Sequence, residues 1–133
     1  MFANRQRRVS VDEDDLSAFF VRLRRVLRLP PESFSAVLVS DRRIRELNRR
    51  YRKRSAATDV LSFPLRENGY LGEVVISAPT ARRQARRYRH RVEEEVKLLL
   101  LHGVLHLLGY NHETDRGQMA RREHTLRRRL GLE

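Results

Sequence analysis

No cysteine occurs in the 133-residue sequence, which excludes a disulfide framework, thiolate zinc ligation and a cysteine nucleophile. Any metal chemistry must therefore run on histidine, carboxylate and backbone groups. Lysine is nearly missing as well: only Lys53 and Lys97 occur, so arginine supplies the other 27 of the 29 basic residues. Long apolar runs are also lacking, since none exceeds four residues and the one at 98–101, which resumes after His102, falls far short of the roughly 18 residues that span a bilayer. No membrane partner is expected. The first eight residues are basic without an apolar h-region and an acidic cluster follows at 12–15, so no secretory signal is expected and the cytoplasm is the default location. No repeat or low-complexity linker divides the chain, and its length suits one domain over 1–133 rather than two.

What is present in excess is positive charge. The 29 basic residues face 17 acidic ones, a formal +12 that favours a polyanionic partner such as nucleic acid over a merely solvated arginine surface.

A short strand is expected at 9–11. Asp12 then caps a helix whose apolar residues Leu16, Phe19, Phe20, Leu23, Val26 and Leu27 recur at three and four positions, until Pro30-Pro31 stops it. The apolar stretch 34–39 reads as a strand, Ser40-Asp41 as a helix start, and Ile44, Leu47 and Tyr51 as that helix's buried stripe. Strands at 60–65 and 70–77 flank Asn68-Gly69, a pair suited to the positive φ angles of a hairpin turn, so they should run antiparallel. Pro79 fits the first turn of a cationic helix carrying Arg82, Arg83, Arg86, Arg87, Arg89 and Arg91. From 92 to 108 the sequence is apolar on nearly every side, which marks the central buried helix. A last helix is expected from about 114 to 130, with Met119, Leu126 and Leu130 on one face. The sum is an α+β domain, about four strands in a mixed sheet packed with five or six helices.

Three of the five histidines fall in His102-Gly-Val-Leu-His106-Leu-Leu-Gly109-Tyr-Asn-His112. Residues four apart share a helix face about 6 Å apart, so His102 and His106 can address one ion. Gly109 accepts the left-handed conformation that ends the helix and turns the chain so that His112 can serve as third ligand. Three ligands leave a position open for a water, and zinc is the first choice of metal. His90 and His124 have no such context and read as surface residues. The spacing also matches the zinc-protease string His-Glu-x-x-His-x-x-Gly-x-x-His, except that Gly103 stands where the general-base Glu would be, which argues against peptide hydrolysis.

With Thr58-Asp-Val-Leu-Ser-Phe-Pro64, Leu71-Gly-Glu-Val-Val-Ile-Ser77 and the pair Tyr51-Arg52, the histidine string resembles the YbeY family of bacterial endoribonucleases that mature ribosomal RNA, over about 34–123. The resemblance implies a small α+β domain, a metal held by His102, His106 and His112, cleavage of single-stranded RNA, and roles in 16S rRNA 3′-end processing and ribosome quality control. It also implies catalytic roles for Arg52 and His102. One departure is Asn111, where the family usually has Asp.

By sequence alone Arg52 is one of four arginines, with Arg49, Arg50 and Arg54, able to clamp a phosphate; these and Arg82, Arg83, Arg86 and Arg87 are the candidate RNA contacts. Glu123 lies between Met119 and Leu126 on an otherwise apolar stripe and can reach either a metal-bound imidazole or, from the stripe's edge, water or an arginine. Ser62 reads as a strand serine with its bond satisfied or as a cleft residue. Asp59, Glu73, Glu113 and Asp115 are candidate proton carriers without a ranking. The leading expectation is a zinc-dependent endoribonuclease acting on rRNA and the ribosomal small subunit. Its rivals are a non-catalytic ribosome-assembly module with a structural metal and a metallopeptidase. The sequence does not assign an oligomeric state.

Overall fold

The Asn68-Gly69 pair turns the chain as its composition demands: φ is +52° at Asn68 and +81° at Gly69, and the strands on either side pair antiparallel. A computed structural model describes residues 1–52, 58–111 and 113–132, with Arg52 described by its backbone alone. In chain order the elements are β1 (Phe2–Asn4), α1 (Glu13–Val26), β2 (Phe34–Val39), α2 (Asp41–Arg52), β3 (Val60–Glu67), β4 (Tyr70–Ser77), α3 (Ala78–Tyr88), α4 (Val92–Leu107) and α5 (Gln118–Leu130). The sheet order is β1-β2-β4-β3, parallel except for the β3–β4 hairpin, so the fold is α+β, with a mixed four-stranded sheet and five helices among the described residues. β3 is an edge strand, and Pro64, which cannot donate to a ladder, sits in it without penalty.

Alternation along β2 divides the molecule into two layers. Phe34, Ala36 and Leu38 point with Val74 and Ile76 into the main core, where they meet α1 and the apolar length of α4. The opposite face carries Val39, Leu61 and Val75, over which Ile44 of α2 packs with Leu47 beside it. Tyr51 departs from the expected buried stripe: it is 59% exposed, because α2 covers only one end of this face.

The first expected strand also lies elsewhere. The strand is Phe2–Asn4, and Val9 is buried in a turn. The Gln6 side chain causes this, donating to Asn4 Oδ1 and to the Val9 carbonyl while accepting from the Val9 N–H, and so taking the place of a neighbouring strand. The last helix begins at Gln118 rather than 114 because Asp115 accepts from the N–H groups of Gly117 and Met119, holding the preceding residues in a turn.

Asp41 fixes α2 against α3. Burial alone would push its carboxyl up, but hydrogen bonds from Ser77, Thr80 and Arg83, with the Arg83 guanidinium charge, outweigh burial and hold it below the usual 3.8. Among the described residues no helix is long and apolar enough to cross a membrane.

Candidate functional site

His102 and His106 lie one turn apart on α4 and are both half-buried, with Nε2 atoms 3.2 Å apart and ring planes at 77°. Two nitrogens bound to one tetrahedral zinc at about 2.0–2.1 Å lie roughly 3.3–3.4 Å apart, so this pair fits a shared ion. The same separation also admits a direct N–H···N hydrogen bond. Gly109 ends the helix with φ +100°, its N–H bonding back to the His106 carbonyl. His112 itself lies outside the described residues, and so does Arg54. Among the described residues no group of three or more His, Asp or Glu side chains is placed to hold an ion.

Glu123 of α5 places Oε1 3.4 Å from His102 Nδ1, the ring nitrogen facing away from His106. Its neighbours on that helical face, Met119 and Leu126, are buried and press α5 onto the core. A carboxylate so placed can orient the ring and favour the tautomer that leaves Nε2 free to ligate. Asn111 accepts from the Glu113 N–H through Oδ1 at 3.1 Å, a bond that Asp would make equally well. The Asn–Asp difference at this position is therefore one of charge rather than of turn geometry.

The histidines open onto a cleft of about 570 Å³ between α4 and the β3 edge, lined also by Asn48, Thr58, Asp59, Ser62, Pro64, Arg66, Tyr110, Asn111 and Glu113. This sorts the candidate proton carriers. Asp59 and Glu113 border the cleft, Glu73 lies on the other face of the sheet, and Asp115 is occupied in capping α5. Ser62 meets both of its readings: it borders the cleft, and its hydroxyl donates to the Gly103 carbonyl at 2.9 Å.

Gly103 is glycine because α4 lies flush on the sheet. A Cβ there would come within 2.5 Å of Val74 Cγ1 and 3.2 Å of Ser62 Oγ. A glutamate general base has no room at this position, which removes the main chemical support for a peptidase. Val74 is β-branched and cannot swing aside, so Gly103→Ala is expected to lower stability by about 1–3 kcal/mol, measured by chemical denaturation.

The candidate arginines disperse over several surfaces. Arg49 borders a shallow hollow on the outside of α2 with Arg42 and Arg45, and Arg50 lies over the Tyr51 ring. On α3, Arg82 is half-buried with no hydrogen-bond partner for Nε among the described residues, Arg83 is tied to Asp41 at 3.0 Å, and Arg86 and Arg87 are exposed. None of these six borders the histidine cleft. Sequence reasoning missed Arg66, which does border it, and Asn48, buried on its wall. Asn48 carried a signal, being a polar residue one turn beyond Ile44 on the buried stripe. His90, expected at the surface, is half-buried with Nε2 2.8 Å from Glu95, joining the α3–α4 turn to α4.

A Solibacter usitatus protein named Endoribonuclease YbeY is 52% identical over 99 residues, covering 74% of this chain and 67% of that one. Proteins of the same name from Helicobacter pylori strain Shi470 and Koribacter versatilis are 42% and 40% identical, covering 91% and 99% of this chain and 89% and 86% of their own lengths. The solution structure of a Thermotoga maritima protein superposes with a TM-score of 0.69 at 26% identity, over 98% of this chain and 89% of that one. The family model described as Endoribonuclease YbeY matches residues 1–131, which contain the histidine string, the hairpin and the arginine-rich helices alike, and the chain belongs to that family.

Proposed function

We propose that this protein is a metal-dependent endoribonuclease that cuts single-stranded RNA in the cytoplasm, with 16S rRNA 3′-end maturation and quality control of the small ribosomal subunit as its setting. The observation that carries the reading is the His102–His106 pair at ligand spacing, backed by Glu123 and opening onto a cleft at a sheet edge. The relatives' name, Endoribonuclease YbeY, supports the reaction class. Held by His102, His106 and His112, a divalent ion, zinc for preference, would supply Lewis-acid stabilisation of charge at a phosphodiester.

The chain's own residues divide the remaining work. Arg52, at the C-terminal end of α2, is the phosphate-holding residue by family resemblance. Glu123 orients the His102 ring, and Asp59 or Glu113 accepts or returns a proton at the cleft wall. Purified protein should carry about one equivalent of zinc or another divalent metal and should cut single-stranded RNA while leaving casein intact. Casein cleavage would overturn the reading, as would metal-free protein with no action on RNA.

Arg86 and Arg87 make no ion pair among the described residues and are the better probes of an RNA-facing α3, since neutralising Arg83 would also release Asp41. RNA affinity should fall steeply with salt, and Arg86→Gln with Arg87→Gln should flatten the log–log slope by up to about 1.4, roughly 0.7 for each phosphate no longer neutralised. An unchanged slope would show that α3 does not meet RNA.

A further inference from the structure

Beyond the part covered by α2, the second face of the sheet opens into a groove of about 730 Å³ lined by Val37, Phe63, Glu73 and Val75. Among the described residues five large apolar side chains are exposed, and three of them, Met1, Tyr51 and Leu65, border this groove. Single exposed apolar residues are ordinary, but a cluster on one concave surface marks a binding site.

The chemistry of the groove selects its occupant. Tyr51 meets Phe63 edge-on at 5.6 Å between centroids, and the Arg50 guanidinium lies 5.6 Å from the Tyr51 centroid. Exposed aromatic rings with guanidinium groups beside them are the means by which proteins stack unpaired bases. Arg5 and Arg43 line the same groove, and with the chain's +12 charge they favour a polyanion over an apolar peptide or a second copy of this cationic chain. Glu73 repels phosphate but accepts hydrogen bonds from base N–H groups, so bases rather than backbone belong over it.

The groove meets the histidine cleft at the edge of the sheet. Pro64 borders both, and because β3 is an edge strand its successive residues Ser62 and Phe63 face the cleft and the groove in turn. An RNA strand crossing this edge with a phosphate at the histidines would turn its neighbouring bases toward the groove. A duplex, with its bases paired and stacked, has none to offer.

We infer that this groove is the subsite for unpaired bases flanking the cut, with the Tyr51 ring as its stacking platform. The inference rests on the endoribonuclease reading and supplies a structural cause for selecting single strands. The test measures binding of a short single-stranded 2′-O-methyl RNA, which resists cleavage, and of the same backbone carrying abasic residues. Tyr51→Ala and Tyr51→Leu should each bind the base-bearing strand about tenfold more weakly than wild type, the scale of one base–aromatic stack. Tyr51→Phe should stay within about twofold, since the ring is kept. On the abasic strand all four proteins should bind alike.

Tyr51→Leu guards against a packing artefact, because it keeps apolar volume against Phe63 without an aromatic face. Equal binding of the base-bearing strand by wild type and Tyr51→Leu overturns the inference, as does an equal Tyr51 effect on the abasic strand. Concentration-dependent dimerisation abolished in Tyr51→Ala would assign the groove to a second copy instead. If wild type cuts unmodified RNA but shows no Tyr51 dependence, only this inference fails. If it neither binds nor cuts RNA, the functional reading fails with it.

Discussion

In proteins prepared identically, His102→Ala is expected to lose bound metal and RNA cleavage together, whereas Arg52→Ala keeps metal and fold and loses cleavage by about two to three powers of ten. The two residues answer different questions. His102 sits on α4 with its Nε2 3.2 Å from that of His106, so removing it leaves one imidazole where two converge. Its ring is half-buried at the surface of the helix, and the alanine should fold. Arg52 ends α2; its expected work is to hold charge on the phosphate, and the loss of one preorganised partner for transition-state charge has the magnitude given. The measurement pairs elemental analysis with single-turnover cleavage of one labelled RNA. Equal cleavage by wild type and both variants would betray a contaminating ribonuclease and remove the enzymatic reading, leaving a ribosome-assembly module. Metal retained in His102→Ala would remove the ligand assignment while leaving the nuclease in place.

Local chemistry was legible wherever one residue pair or one period decides the outcome. Asn68-Gly69 has few conformations open to it other than a tight turn, and the hairpin follows; the apolarity of 92–108 on nearly every side, Glu93 to Glu95 and Lys97 apart, leaves α4 nowhere to go but inside. Spacing brought His102 and His106 together because a helix converts a separation of four residues into a distance. What stayed hidden depends on partners remote in sequence. Asp41, Ser77, Thr80 and Arg83 form one network that no window of sequence displays. The displaced β1 turns on the Gln6 side chain, which outcompetes strand pairing for the backbone groups of Val9. Tyr51 fits a buried helical stripe by period, yet is exposed because periodicity reports which face a residue occupies and not how far the opposing sheet extends. Arg66 escaped notice because its route to the cleft depends on the irregular pairing between Pro64 and Glu67, where its φ is +52°. Gly103 was legible as a missing base, but only the 2.5 Å approach to Val74 explains why no side chain stands there.

Glu123→Ala is expected to weaken zinc binding by about 10- to 100-fold, the usual consequence of removing a carboxylate that supports a ligating histidine. The carboxylate lies 3.4 Å from His102 Nδ1 and has no other ion-pair partner among the described residues. It can therefore act on the ring's orientation and on which nitrogen carries the proton. Glu123→Gln retains an oxygen at the same reach and loses only the charge, so its loss should be smaller than that of alanine. Competition against a zinc chelator reads both variants directly, without reference to RNA. Stability should change little, because α5 is docked by Met119, Leu126 and Leu130. The second readout separates positioning from chemistry: excess zinc should restore cleavage in Glu123→Ala, which keeps all three histidines, and should do nothing for Arg52→Ala, whose expected defect is at the phosphate. Unchanged zinc affinity in Glu123→Ala would reduce Glu123 to a half-buried surface acid. Cleavage that stays low at saturating zinc would instead give the carboxylate a direct part in the reaction.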